Sequence, residues 1–282
     1  MKALLICPSG GKDVGLLAQA APLATVPLLG QSLLEYWLSH LACAGVKEVI
    51  VLADDRAEQV RTVVGTGVRW GLTVNLIEES RELTAAQTLL KYGKELDGSA
   101  PQNEIAVLDH FPGADECPLF TSYADYFAAL QAWMPKAKMP DRVGVREVRP
   151  GVWANSHSHI SPEAQLQAPC WVGKNVFVGS RAVIGPSAIV EDGAFIEPDA
   201  KMANSVVGSD TFVGRLTEIA DSLALGSTLI NWKTGSAATV PDPFVLCALR
   251  KPARSRTAKW LEKISEVYSR NKSDVHVLLM NR

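Results

Sequence analysis

The 282-residue chain is poor in several things that would narrow its class. No uninterrupted apolar run reaches the ~18 residues of a membrane-crossing helix. Nor does the chain open with the basic, apolar and small-residue sections of a secretory leader, so a cytoplasmic location is expected. Cysteine is scarce, at five residues (Cys7, Cys43, Cys117, Cys170, Cys247). The number is odd and the spacing unlike that of metal ligands, which favours reduced, buried thiols over a disulfide framework. Charge of either sign is not in excess: the formal net charge of −2 gives no reason to expect nucleic acid as a partner.

What the chain has in abundance is a repeat. From Ala154 to about Val207, nine successive hexapeptides open on an apolar residue and carry a small one four places on. The openers are Ala154, Ile160, Leu166, Val172, Val178, Ile184, Val190, Ile196 and Met202. The small partners run from Ser158 and Ala164 to Ala200 and Val206, and Gly173, Gly179 and Gly185 directly follow three openers. A helical face recurs near 3.6 residues and cannot hold a strict period of six, whereas a chain turning a corner every six residues can. The pattern predicts a parallel β-helix of three hexads per coil. Ile160, Val178 and Ile196 then stack as one interior column, Leu166, Ile184 and Met202 as a second, and Val172 with Val190 as the third. The period slips by one at Val207–Gly208 and continues more loosely to about Val240.

The first half alternates strand and helix. An apolar strand at 2–7 empties into Pro8-Ser9-Gly10-Gly11, and apolar residues at helical spacing follow Ser32 up to Gly45. Strands at 49–52, 72–77 and 105–108 alternate with helices after Asp54 or Asp55 (either a candidate cap), over 83–96, and from Ser122, whose spacing to Asp125 is that of a capping box. This order predicts a parallel sheet covered on both faces, with ligands at the carboxyl ends of its strands. Ser9, Gly10, Gly11 and Asp109 therefore lie where chemistry is expected.

The glycine loop, then Val26-Pro27-Leu28-Leu29-Gly30-Gln31-Ser32-Leu33-Leu34-Glu35-Tyr36, then Gly45-Val46-Lys47-Glu48-Val49-Ile50-Val51, resembles the sugar-1-phosphate nucleotidyltransferases, the mannose-1-phosphate guanylyltransferase branch above all. The resemblance implies a Rossmann-like domain, here truncated, followed by a left-handed parallel β-helix and a C-terminal helix. It also implies a setting in nucleotide-sugar and polysaccharide biosynthesis, a nucleotide or nucleotide-sugar ligand at Ser9, Gly10, Gly11 and Lys12, Mg at Asp109 where transfer activity is retained, and a homo-oligomer or a hetero-oligomer with an active paralogue. The organisation expected is an α/β domain at 1–133, a linker at 134–151, the repeat at 152–249 and a basic tail with a capping helix at 250–282.

Family members carry G-G-x-G-T-R followed by P-K-P, whose arginine and lysine hold the transferring phosphates. Here Gly10 and Gly11 are followed by Lys12-Asp13-Val14-Gly15 without arginine, and Leu23 stands at the lysine position. The family's L-G-T-A-G reads Leu83-Thr84-Ala85-Ala86-Gln87, so two glycines have become side chains. The expectation is a catalytically degenerate member with a binding, regulatory or scaffolding role. One alternative is a working transferase with a rewired loop using Lys12 and Asp109. Another is an acyltransferase in which His157 or His159 deprotonates an acceptor beside coenzyme A. The basic helix that carries Trp260, Leu261 and Ile264 is a candidate membrane-surface contact.

Overall fold

The computed structural model describes residues 1–9, 12–19, 21–93, 104–137 and 144–249. The capping helix expected beyond residue 250, with its membrane-surface role, lies outside them, as do Gly10, Gly11 and the side chain of Lys12. No helix among the described residues is long and apolar enough to cross a membrane.

Four parallel strands, β1 (Lys2–Ile6), β2 (Glu48–Ala53), β3 (Thr73–Glu78) and β4 (Glu104–Val107), form a sheet in the order β3-β2-β1-β4. Successive side chains of a strand point to opposite faces. Ala3 and Leu5 accordingly enter one large core, while Leu4, Ile6, Ile50 and Leu52 meet Leu83 and Tyr92 on the other side. Helices α1 (Leu33–Cys43), α2 (Ala57–Val64), α3 (Ala85–Tyr92) and α4 (Tyr123–Trp133) cover the sheet. A reciprocal capping box between Ser32 and Glu35 starts α1, and Ser122 accepts from the Asp125 amide to start α4. The start of α2 differs from expectation. Neither Asp54 nor Asp55 caps it; the N-cap is Arg56, left-handed at φ 43°, with no side-chain bond to the helix. Asp55 instead holds the Arg56 guanidinium in a two-point ion pair, which draws the carboxylate away from the helix amides.

Three sheets build the coil. Paired strands place Val178 against Ile160 and Ile196, Ile184 against Leu166 and Met202, and Val190 against Val172, which are the three predicted columns. The slip falls earlier than the hexads suggest. Ala188 pairs with Ser205 and Val190 with Val207, 17 residues apart, so one residue is lost at the corner formed by Asn204, which is left-handed at φ 49°. Val206 is therefore not an interior partner; it faces outward into the α/β core. The coil also ends sooner than the loose repeat to Val240 implies. After Leu225 the two-residue turn Gly226-Ser227 reverses the chain, and Thr228–Asn231 and Ala237–Thr239 add antiparallel strands. Gly226, at φ 59°, supplies the positive φ such a turn needs. Leu246–Ala248 closes a second face, antiparallel to Thr211–Val213.

One face of the coil is not solvent. Trp153, Trp171, Ile189, Val206 and Leu223 lie in register on its outer side, all buried, in the same core as the helices of the α/β half. Each fully buried side chain of this kind contributes roughly 1.5–3 kcal/mol. From α4, Phe127 stacks on Trp232 at 4.4 Å, and the Gln131 side-chain amide donates to the Ser187 carbonyl. Met1–Leu249 thus pack as one compact unit.

Candidate functional site

In a doubly wound sheet the crevice opens at the carboxyl ends of the strands, where the order changes direction. Here that point is β1, flanked by β2 on one side and β4 on the other, with Ser9 and Asp109 just beyond the ends of β1 and β4. The sequence-predicted residues therefore share the correct end of the sheet. Among the described residues beside Ser9, acidic side chains outnumber basic ones.

Ser9 is already engaged. Its amide and its hydroxyl both donate to one oxygen of Glu82, at 3.0 and 2.6 Å. Beside this contact, Ile6, Cys7, Leu52, Asp54, Glu79, Arg81, Glu82 and Leu83 meet without leaving space for a water molecule, and Arg81 is the one basic residue among them. The local charge is negative. Burial, then the carboxylates of Asp54 and Glu82, pushes the Cys7 thiol up to about 12, so it is inert as a nucleophile. Burial and the neighbouring Glu82 and Asp55 likewise raise the Asp54 carboxyl above its ordinary range, and its Oδ1 has no hydrogen-bond partner. All five cysteines are free thiols; Cys170 is also buried, whereas Cys43 is exposed.

Glu79 is satisfied within the fold. Lys91 Nζ sits 2.7 and 2.8 Å from its two oxygens, and the Tyr92 hydroxyl donates to one of them. The lysine contact, then the tyrosine, lowers the Glu79 carboxyl below its ordinary value near 4.5. Since the folded pKa lies below the unfolded one, the stabilisation is complete above about pH 4.5 and is lost as pH falls through the lowered value. Denaturant unfolding between pH 7 and pH 2.5 should therefore show wild type and Glu79→Gln converging in acid and separated near neutrality.

Leu23, which the resemblance sets opposite the family lysine, opens the 3-10 turn Leu23–Thr25 and is 1% exposed within the main core. The position has been absorbed into packing. Asp109 is exposed, and one of its oxygens is held by His110 Nδ1, while His110 Nε2 lies 3.0 Å from Asp115. Among the described residues no group of three or more histidine, cysteine or carboxylate side chains is placed to hold a metal. Mg is commonly held through one or two carboxylates and the substrate's phosphates, and Asp109 offers one such exposed carboxylate. His157 and His159 are both exposed. The first contacts Asn155 and Ser156, and the second stacks on Phe177 at 5.5 Å. Neither contact supplies the orienting carboxylate that a general-base histidine commonly uses.

The sequence reading missed Glu191. It is 1% exposed, and its two oxygens accept from the Leu29 amide at 2.5 Å and the Gly30 amide at 2.7 Å. Leu29 and Gly30 (φ 53° and 79°) form the two-residue turn between the short strands Pro27–Leu28 and Gln31–Ser32. Both positive φ values mark a type I′ turn, which leaves its amides pointing outward. The signal was present in the repeat. One place past the paired openers Val172, Val190 and Val207 stand Gly173, Glu191 and Gly208, so the carboxylate leaves the coil between two residues without side chains.

Comparison with known proteins agrees with this architecture in its first half. Residues 17–135 match the family model described as nucleotidyl transferase. Over 90 residues the chain is 31% identical to a glucose-1-phosphate thymidylyltransferase of Streptomyces antibioticus, and 30% identical to one of Streptomyces griseus. Each match takes in 32% of this chain and 25% of the relative, so the chain covers a quarter of those proteins' length. A solved mutant of perosamine N-acetyltransferase from Caulobacter crescentus, in complex with CoA and GDP-perosamine, aligns at 15% identity over 64% of this chain and 93% of that one. The TM-score is 0.21. The α/β half, with its parallel sheet, is thus similar to nucleotidyl transferases over residues 17–135 and is joined to a hexapeptide β-helix.

Proposed function

We propose that this protein serves nucleotide-sugar metabolism without transferring a nucleotidyl group, acting as a nucleotide-sugar-binding regulator or scaffold for an active relative. The observation that carries this reading is the absorbed lysine position. Transfer between phosphates depends on cations that neutralise charge as it develops, and a leucine sealed in the core supplies none. The acidic wall of Asp54 and Glu82 at the strand ends adds repulsion where a triphosphate would lie. The coil leaves two of its three faces uncovered by the α/β half and offers them for assembly with like or related chains.

Incubation with each nucleoside triphosphate, Mg and a panel of sugar 1-phosphates should release no pyrophosphate above the protein-free control. Turnover at about 1 per second or faster, the ordinary range for enzymes, would overturn the proposal. Native mass spectrometry of protein purified from its own cells should show a related, longer nucleotidyltransferase in the same assembly. Such an enzyme would supply the chemistry, while this chain supplies a folded surface and a ligand-responsive site.

A further inference from the structure

The donors of Ser9 point to what else is built into the strand-end site. A backbone amide and a hydroxyl converging on one oxygen at 3.0 and 2.6 Å form an anion-binding pair, located where the β1 loop begins. Glu82 reaches this pair from the segment following β3, 73 residues away in sequence. Its carboxylate presents what a phosphate oxygen presents: a negative charge and lone pairs within reach of both donors. We infer that Glu82 is a built-in occupant of the anion position at Ser9, so that phosphate-bearing ligands must displace it. The site is thereby closed to phosphate in its resting state.

This rests on the reading that the strand-end loop faces a phosphate-bearing ligand, and it adds the means by which access is regulated. An intramolecular competitor lowers apparent affinity by the fraction of molecules in which the site is free. If Glu82 holds Ser9 in roughly nine molecules of ten, its removal raises affinity about tenfold. Loss of one negative charge at the site acts in the same direction, so a charge control is required. Glu78, exposed at the end of β3, serves for that.

The experiment is calorimetric titration of the full chain with inorganic pyrophosphate and then with GTP, for wild type, E82A, E78A and the double variant S9A/E82A. Glu82 is exposed, so E82A should melt within a few degrees of wild type. The expected result is binding to E82A at least about tenfold tighter than to wild type. E78A should stay near wild type, and S9A should reverse most of the gain in the E82A background. E82A binding no tighter than wild type, including no binding by either, would overturn the inference. So would an equal gain in E78A, or a gain that survives loss of the Ser9 hydroxyl undiminished. These outcomes are separate from those for the proposed function: pyrophosphate release would sink that reading whatever Glu82 does. Nucleotide-sugar binding unaffected by E82A would sink only this one.

Discussion

Replacement of Glu191 by alanine should lower the stability of the chain by about 2–6 kcal/mol, since it leaves two main-chain donors without their acceptor at roughly 1–3 kcal/mol each. The geometry explains the size. The carboxylate is 1% exposed and accepts from two main-chain amides that face it from the type I′ turn. Leu29 is itself fully buried, so its amide has no solvent to turn to once the acceptor is gone. Glutamine is the informative companion. It keeps one carbonyl acceptor but places an amino group opposite a second donor, so Glu191→Gln should recover only part of the loss. Denaturant melts of wild type and both variants will measure this, and a change of less than about 1 kcal/mol in Glu191→Ala would show the contact to be incidental. Protection of the Leu29 amide against hydrogen exchange should fall in the same variants, since its bond partner lies on the coil.

Restoring the family's cation where Leu23 now stands should fail, and fail expensively. Leu23→Lys places an ammonium in the main apolar core, whose members include Leu17 and Ala24. A cost of about 3–5 kcal/mol is expected for an unpaired buried charge, or a fall in melting temperature of roughly 10 °C for a chain of this size. Burial lowers the pKa of such a lysine below its unfolded value near 10.4. The charge penalty therefore shrinks as pH rises toward that value, and grows as pH falls until the folded pKa is passed. Unfolding midpoints at pH 7 and pH 10 should show this narrowing, and pyrophosphate release should remain absent. A stable Leu23→Lys protein with new transfer activity would mean that the pocket had kept its catalytic geometry, contrary to the packing described here.

The two halves of the molecule were unequally legible. The coil's interior columns follow from sequence because a corner every six residues leaves a strict period that neither a helix nor a flat strand can hold. Asn204 escaped that reading, since a lost residue at a corner leaves the next apolar run intact and only shifts which of Ser205 and Val206 points inward. The covered face escaped it too. Trp153, Trp171, Ile189, Val206 and Leu223 recur 17 or 18 residues apart, as the interior columns do, but occupy the outward position on one side only. Three consecutive apolar residues, as in Cys170-Trp171-Val172, were the mark of a strand covered on both sides. Contrast Gln165-Leu166 or Lys201-Met202 on another side, where the outward residue is polar.

At the candidate site, the strand ends were legible from alternation alone, and the interest of Leu23 only from the resemblance to a family. The carboxylate that engages Ser9 was not. Glu82 lies in a polar connection, Glu78-Glu79-Ser80-Arg81-Glu82, where any one acid looks like any other. Only the approach of two strand ends in space distinguishes it. Asp54 and Asp55 illustrate the same limit: both satisfy the rule for a helix start, and a neighbouring arginine decides against both.

The shared core has a consequence for inheritance. Many proteins are assembled from parts that can be exchanged because each part seals its own interior. Here the seam runs through a continuous apolar interior in which tryptophans from the coil finish what the helices begin. Neither portion can be transplanted onto a different companion without exposing a hydrophobic wall, so substitutions along the seam are accepted or rejected in concert. Such a chain must diversify as a single heritable piece, leaving its outer walls and the strand-end loops as the places where novelty is cheap.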